Sequence, residues 1–321
     1  MTPETAPNDA TGTYARVETA AVGNTMATGN TVAIWNPASG SAPDEAELRA
    51  VLGDETTLVE TTADDPGAGQ TREAVANGAG IVVACGGDGT VRACLEPLSE
   101  TSTSLAIVPL GTGNLLASNL GIDAGLDAAE GIGVGNRRRI DLGVVNDEAF
   151  AVMAGSGFDA LMIRDANPKL KAKVGTAAYV LSAIRHLRSD RARTTIDIDG
   201  SRWFDGWSTM VLVGNFGQIS GGLEVFPDAS PDDGKLDIAV MSATTMREWG
   251  SILWRLVRRK EQRLDLARRA QGASIEVEHA IAQPYELDGE DRPPTTKLQF
   301  SITPGALSVH QAGTGDPEDT K

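Results

Sequence analysis

Between Thr31 and Gly121, short apolar runs alternate regularly with segments of helical pattern, and no other feature constrains the fold as strongly. Four runs have the length and β-branched content of buried strands: Thr31–Trp35, Thr57–Glu60, Ile81–Cys85 and Leu105–Val108. The segments 44–52, 71–77, 91–98 and 114–120 follow these strands and have the spacing of helices. Such an alternation predicts a parallel sheet with crossover helices, an α/β domain.

Beyond Ile140 the pattern becomes mostly β. The predicted strands are 144–145 with 150–153, 194–199, 208–214, 236–241, 274–278, 296–302 and 306–309. Two helical stretches, Lys171–Leu187 and Thr245–Arg269, interrupt them. The sequence therefore predicts a second, mainly antiparallel β domain.

Composition excludes several classes of function. The net charge of −16 argues against binding nucleic acid through bulk charge. The two cysteines have no metal-site spacing and the three histidines are scattered, so a general base is expected to be a carboxylate. No apolar run is long enough to span a membrane and the N-terminus lacks the features of a signal peptide, so we expect a cytoplasmic protein.

Gly86-Gly87-Asp88-Gly89-Thr90 lies where a predicted strand ends and a helix begins. Glycines let the backbone approach a ligand, and the N-terminus of the following helix attracts anions. Asp88 is expected to orient a hydroxyl or a metal-bound water beside phosphates. A tight turn with an Asx hydrogen bond is the alternative.

Pro109-Leu110-Gly111-Thr112-Gly113-Asn114 occupies the same position after the next strand. The carboxyl ends of neighbouring parallel strands are where open α/β sheets bind ligands, so the two loops are expected to lie side by side. Neither loop matches the Walker A pattern or the dinucleotide fingerprint G-x-G-x-x-G.

Both loops resemble those of the diacylglycerol kinase catalytic-domain family, which includes bacterial lipid kinases and sphingosine kinases and is related to NAD kinases. The resemblance continues in the family's order through further short motifs: 36–40 (NPASG), 140–143 (IDLG), 155–159 (GSGFD), 215–217 (NFG), 221–222 (GG), 233–236 (DGKL) and 288–290 (DGE). It covers nearly the whole folded part of the chain. Its motifs are specific for the family and much less so for the substrate.

The resemblance implies a nucleotide-binding α/β domain at 31–143, to which 303–312 returns, and a β-sandwich lipid-substrate domain at 144–302. The ends, 1–30 and 313–321, are expected to be flexible tails. ATP would lie in the cleft between the domains. The nucleotide-binding residues that it implies are Asn36, Thr62, Gly86, Gly87, Asp88, Gly89, Thr90, Val91, Arg92, Gly111, Thr112, Gly113 and Asn114.

One departure from the family stands in the first loop. The family usually continues it with an Asn-Glu pair, and this chain has Arg92-Ala93. The missing acidic side chain leaves open whether the chain is a weak or inactive enzyme.

The resemblance also implies roles for two acidic turns. In the turn 288–290, Asp288 is expected to be the catalytic base, with Glu290 as the rival assignment; without the family, Asp-Gly would indicate only a hairpin turn. In the turn 230–236, a structural Mg²⁺ is expected, bound by the Asp233 side chain and the carbonyls of Ser230 and Lys235. The alternative is a solvated acidic turn.

Two basic segments stand out in this acidic chain, 164–193 with net charge +6 and 244–271 with net charge +5. In the second, Trp249 and other apolar residues recur at helical spacing beside Arg258 and Arg259. Such a helix either packs on the sheet or contacts an anionic membrane surface at the inner face. A homodimer is left open.

Together, the motifs predict an ATP- and Mg²⁺-dependent lipid kinase that acts on diacylglycerol or a related long-chain alcohol. An NAD kinase-like enzyme is the second interpretation, and a nucleotide-binding regulator without turnover is the third. No nucleic-acid partner is expected.

Overall fold

The computed structural model describes residues 30–39, 42–130, 132, 136–157, 191–219, 223–242 and 267–311. Of the helices in these ranges, none combines the length and the apolar character needed to cross a bilayer.

The first part of the chain forms the predicted parallel sheet. Its elements are β1 (Thr31–Trp35), α1 (Glu45–Leu52), β2 (Thr57–Glu60), α2 (Ala68–Ala76), β3 (Ile81–Gly86), α3 (Asp88–Leu98), β4 (Ser104–Pro109) and α4 (Leu115–Asn119), followed by a 3₁₀ turn at Leu126–Ala129. The strands run parallel in the order β4-β3-β1-β2. Every residue of β3 and β4 is buried, as expected for parallel strands that are covered on both faces.

The second part of the chain is β-rich, as predicted. Its strands are β5 (Asn136–Val145), β6 (Glu148–Phe150), β7 (Met153–Gly157), β8 (Ala192–Ile198), β9 (Ser201–Ser208), β10 (Met210–Gly214), β11 (Gln218–Ile219), β12 (Leu223–Glu224), β13 (Leu236–Met241), β14 (Ala267–Gly272), β15 (Ser274–Leu287) and β16 (Glu290–Gln311). They pair antiparallel in the order β14-β13-β10-β7-β15-β16. β8 pairs with β15 and with β9, and β5 pairs with β16 and with β6.

The long strand β16 joins the two sheets. It pairs first with β15 and then with β5, and its end runs parallel to β4, with Ser308 opposite Ser104 and Val309 opposite Leu105. The two serine hydroxyls lie 2.9 Å apart in the interior. Because the last strand closes the edge of the first sheet, the turn between β15 and β16 is held at a defined place relative to the first domain.

Two of the hydrophobic clusters lie at this junction and beyond it, and the first of them spans both domains. One packs the face of the first sheet under α2, α3 and α4 and continues into the second domain through Ile140, Leu142 and Leu212. The other fills the β domain between strands such as β8, β13 and β15. A continuous apolar interior therefore connects the domains.

Several predicted boundaries were wrong for one common reason. The predicted strand 208–214 is divided at Thr209 into β9 and β10, and 150–153 is divided between β6 and β7. β5 begins eight residues before the predicted 144–145, and Ala267–Arg269, predicted as the end of a helix, belongs to β14. In each case pairing with another strand decides the structure, and for β5, β10 and β14 that strand is distant in sequence. The remainder of the segments 171–187 and 245–266 lies outside the described residues.

Candidate active site

The loops that follow β3 and β4 contact each other backbone to backbone. Leu110 N donates to Gly86 O at 2.8 Å. A Cβ added to Gly111 would lie 2.5 Å from Gly87 Cα, and one added to Gly87 would lie 3.2 Å from Gly111 Cα. Only glycine permits this approach. The two loops therefore form one surface at the carboxyl edge of the sheet, as their positions in the sequence predict.

Asp88 ties the first loop to the second. Its carboxylate accepts the N–H of Asn114 at 2.9 Å and the N–H of Leu115 at 2.5 Å, the first donors of α4. A Cβ on Gly113 would lie only 2.4 Å from Asp88 Oδ2. In this structure Asp88 therefore caps the neighbouring helix, which is a different use from the hydroxyl or metal-bound water expected from the sequence.

Asn114 closes the second loop on itself. Its side chain accepts the N–H of Gly111 at 3.0 Å and donates to the Gly111 carbonyl at 2.9 Å. Asn114 has a positive φ of 47°, which asparagine tolerates better than most residues. Thr112 is exposed at the tip of the loop, where it can reach a ligand.

The loop after β1 completes the same edge. Ser39 Oγ donates to the Leu110 carbonyl at 3.0 Å, and Asn36 Nδ2 lies 3.5 Å from Thr90 Oγ1. Thr90 is buried, and a Cβ on Gly86 would lie 2.5 Å from its hydroxyl oxygen. Asn36 and Thr90 are thus brought together, with Thr90 in a supporting position beneath the loop.

Two predicted nucleotide contacts have side chains that are engaged within the protein. The Val91 side chain is buried in the apolar interior under α3. Thr62 follows β2, which β1 separates from β3, and its hydroxyl accepts the N–H of Asp65 at 3.1 Å. A phosphate contact from Thr62 stays a prediction.

Asp288 is buried and already bound to the backbone. Its carboxylate accepts the N–H groups of Ala151, Val152 and Met153 at 2.7, 2.9 and 3.0 Å, and its own N–H donates to the Met153 carbonyl. Burial raises the pKa of Asp288 to about 6, and the charge of Asp88 adds to the rise. The three hydrogen bonds from backbone N–H groups act in the other direction and lower the pKa, but burial outweighs them. The turn therefore lies near the glycine loops, but this carboxylate holds the bend between β6 and β7.

Glu290 is the acidic side chain of this turn that reaches the first glycine loop. A Cβ on Gly89 would lie 2.8 Å from Glu290 Oε1. Glu290 Oε2 pairs with Arg92 from α3, and Arg292 Nη1 lies 3.4 Å from the same oxygen. Glu148 joins the cluster through Arg292, at 2.8 Å. These four side chains bridge the two domains at the N-terminal end of α3.

Glu148 and Arg292 were not predicted from the sequence. Neither belongs to a local motif, and they are 144 residues apart in the chain. Arg92 was predicted as a nucleotide contact and noted as a departure from the family, but its ion pair with Glu290 was not predicted, because its partners come from the other domain.

The acidic turn 230–235 is held by side-chain bonds. Asp233 Oδ1 accepts the N–H of Lys235 at 2.9 Å, and Asp232 accepts from the Ser230 hydroxyl at 2.7 Å and from Arg138 at 2.9 Å. Within the described ranges, no group of three His, Cys, Asp or Glu side chains is placed to hold a metal ion. A metal in this turn would therefore depend on backbone carbonyls.

Asp141, in the motif 140–143, connects this turn to β16. Its carboxylate accepts the N–H of Gly305 at 2.6 Å and the N–H of Gly234 at 2.7 Å. Burial, and less strongly the charges of Asp233 and Asp232, raises the pKa of Asp141. The sequence analysis quoted the motif without assigning this role to the aspartate.

Comparison with protein families covers almost all of the described chain. A model of the diacylglycerol kinase catalytic domain matches residues 30–145. A model described as the YegS C-terminal NAD kinase beta sandwich-like domain matches residues 152–311.

Named relatives align over most of their own length. The chain is 34% identical over 280 residues to a probable lipid kinase YegS-like of Pseudomonas aeruginosa strain UCBPP-PA14, covering 84% of this chain and 91% of the relative. It is 31% identical over 227 residues to a diacylglycerol kinase of Bacillus subtilis strain 168, covering 67% and 75%.

Solved structures share the fold. A diacylglycerol kinase from Bacillus anthracis strain Sterne superposes with a TM-score of 0.69 at 24% identity, covering 88% of this chain and 96% of that chain. Yeast NADH kinase complexed with NADH superposes with a TM-score of 0.50 at 10% identity, covering 89% and 84%. The predicted two-domain fold is thus confirmed.

Proposed function

The chain belongs to the diacylglycerol kinase catalytic-domain family, and from this premise we propose that it is an ATP-dependent lipid kinase. It transfers the γ-phosphate of ATP to the hydroxyl of diacylglycerol or a related long-chain alcohol. The observation that carries the proposal is the contact between the two glycine loops with Glu290 of the other domain above the first of them. The names of the relatives from Pseudomonas aeruginosa and Bacillus subtilis support a lipid acceptor.

The nucleotide binds through the backbone of the two loops. The backbone contact between Gly87 and Gly111 makes a narrow surface without side chains, and α3 begins directly beyond it. The first N–H groups of a helix and its dipole favour negative charge, so this end of α3 suits phosphate groups. Thr112, exposed at the tip of the second loop, adds a hydroxyl.

Glu290 is the better candidate for the base, and Asp288 is a positioning residue. Phosphoryl transfer to an alcohol needs in-line positioning and a carboxylate near the attacking hydroxyl. The acceptor oxygen attacks the γ-phosphorus, the bond to the β-phosphate oxygen breaks, ADP leaves, and the hydroxyl proton passes to Glu290. The three hydrogen bonds that the Asp288 carboxylate accepts from backbone N–H groups keep the hairpin turn in place, so that Glu290 faces the first glycine loop.

The turn 230–235 fits a structural Mg²⁺ by the chemistry of its donors. The Asp233 carboxylate and the carbonyls of Ser230 and Lys235 would supply oxygen ligands, which a hard cation prefers. Burial first, and then the charge of Asp233 among others, raises the pKa of Asp237 to about 6. This local excess of negative charge supports a cation in the turn, which would supply rigidity between β5 and β13.

Two other functions are alternatives to the lipid kinase. The fold similarity to NADH kinase keeps NAD as a candidate acceptor. Arg92-Ala93, in place of the family's Asn-Glu pair, lacks an acidic side chain and keeps a nucleotide-binding regulator without turnover as the third interpretation.

Labelled ATP supplied with diacylglycerol in mixed micelles, and separately with NAD, tests all three. Label in phosphatidic acid supports the lipid kinase, label in NADP supports the second interpretation, and ATP binding without either product supports the third. Glu290→Gln should lower kcat about 100-fold or more while ATP binding is retained. Asp291→Asn is the matched control, an exposed acid on the same hairpin, and near-normal kcat in Glu290→Gln would refute the assignment of the base.

A further inference from the structure

Arg92 lies on α3, directly after the first glycine loop, and its side chain is only 21% exposed. One guanidinium nitrogen pairs with Glu290, and another lies 3.8 Å from Glu148, beyond hydrogen-bond distance. The buried Nε has no hydrogen-bond partner among the described residues. The guanidinium therefore keeps donor capacity that this arrangement does not use.

The anion that Arg92 holds lies where a phosphate would bind. Glu290 Oε1 is 2.8 Å from the position that a Cβ on Gly89 would take, in the first turn of α3. A carboxylate there pairs with the arginine and lies close to the N-terminal turn of α3, the end of the helix that favours negative charge. Because like charges repel at this distance, Glu290 and a nucleotide phosphate would compete for the same guanidinium.

We propose that Arg92 binds the terminal phosphate of the nucleotide and, in doing so, leaves Glu290. The nucleotide thereby displaces an internal carboxylate, and the released Glu290 becomes available to the acceptor hydroxyl. This inference rests on the proposed function of the same site. Its physical basis is that an arginine fork can bind phosphate and carboxylate with the same geometry.

Arg292 is placed to hold the carboxylates while Arg92 moves. Its guanidinium contacts Glu148 at 2.8 Å and lies 3.4 Å from Glu290, and it is carried by β16, not by the nucleotide loop. After the exchange, Glu148 and Glu290 keep a positive neighbour. Substitution of Arg292 is therefore a suitable control, because Arg292 belongs to the same ion-pair cluster but lies on β16 and not on α3.

The test compares the dissociation constants of ATP and ADP, measured by calorimetry on the full chain at a fixed magnesium concentration. The wild-type protein should bind ATP several-fold to about tenfold more tightly than ADP, since Arg92 gains a contact to the terminal phosphate and gives up its pair with Glu290. Arg92→Gln should reduce this ratio to near one and lower kcat, Arg92→Lys should restore part of it, and Arg292→Gln should keep it. Circular dichroism checks that each variant folds.

A second experiment predicts tighter ATP binding, which is opposite to the effect of Arg92→Gln. Glu290→Gln removes both the competing partner of Arg92 and a negative charge beside the phosphate, so it should tighten ATP binding several-fold in the wild-type background. An unchanged ATP-to-ADP ratio in Arg92→Gln would overturn the inference and leave the kinase proposal standing. If the ratio depends on Arg92 but no lipid is phosphorylated, the inference holds and the acceptor assignment fails.

Discussion

The contact between Asp88 and Gly113 allows a prediction in which two substitutions are strongly non-additive. Asp88→Ala removes the acceptor of two backbone N–H groups at the start of α4, at 2.9 and 2.5 Å. Gly113→Ala places a Cβ 2.4 Å from Asp88 Oδ2, so the carboxylate must move away from the same N–H groups. Both substitutions therefore break the same capping interaction.

The magnitude follows from the bonds that are lost. Loss of a helix-capping side chain costs about 1 kcal/mol, and a second charge-assisted bond raises the total for Asp88→Ala to about 3 kcal/mol. Gly113→Ala should cost about 2 kcal/mol, most of it from displacing the carboxylate. In the Asp88→Ala background the added methyl group meets an open space, so the double variant should lose about 3 kcal/mol, a coupling of about 2 kcal/mol.

Urea unfolding of the four proteins at pH 7 measures the coupling. Asp123→Ala, an exposed aspartate beyond the end of α4, is the control and should change the free energy of unfolding by less than about 0.5 kcal/mol. Free-energy losses from the two substitutions that add to within about 0.5 kcal/mol would refute the reasoning, because independent sites behave in that way.

Three further predictions follow from the structure, one for nucleotide affinity and two for the pH dependence of stability. Gly111→Ala should weaken ATP binding about tenfold or more, because its Cβ would lie 2.5 Å from Gly87 backbone and the two loops must separate; calorimetry measures this. Burial raises the pKa of Asp288 to about 6, so between pH 4 and 6 the folded state keeps a proton that the unfolded state has lost. The wild-type free energy of unfolding should therefore fall by about 3 kcal/mol as the pH rises from 4 to 6, and Asp288→Asn should remove this fall. Burial lowers the pKa of His279 to about 4, so between pH 4 and 6.5 the unfolded state binds a proton that the folded state does not. This histidine should therefore raise the free energy of unfolding by about 3 kcal/mol as the pH rises from 4 to 6.5, and His279→Gln should remove that rise. Urea unfolding across this pH range checks both signs, and parallel curves for wild type and variants would contradict them.

The position and contact of the two glycine loops could be predicted because their signals are local. Each glycine run follows a buried strand and precedes a helix within a few residues, and parallel strands that are neighbours in sequence are often neighbours in the sheet. The contact of Gly87 with Gly111 follows from that order. Strand boundaries in the β domain failed where long-range pairing decides, as at Thr209 and in β14.

The acidic turn shows where local reasoning stops. The motif 288–290 is visible in the sequence, but the sequence does not show which of its two carboxylates is used for structure. Asp288 binds three backbone N–H groups more than 130 residues away, and Glu290 meets Arg92 at a separation of 198 residues. The contacts of both carboxylates depend on how β16 places the turn relative to α3.

By itself, the order of apolar runs and glycine loops determined the parallel sheet, the β-rich second domain and the edge where the two glycine loops meet, since these depend on residues close in the chain. Only the tertiary structure decided that Asp88 caps a helix, that Asp288 anchors a bend and that Arg92 holds Glu290. The physical reason is that hydrogen bonds and ion pairs act over a few ångströms, so their partners are chosen by packing and not by distance along the sequence.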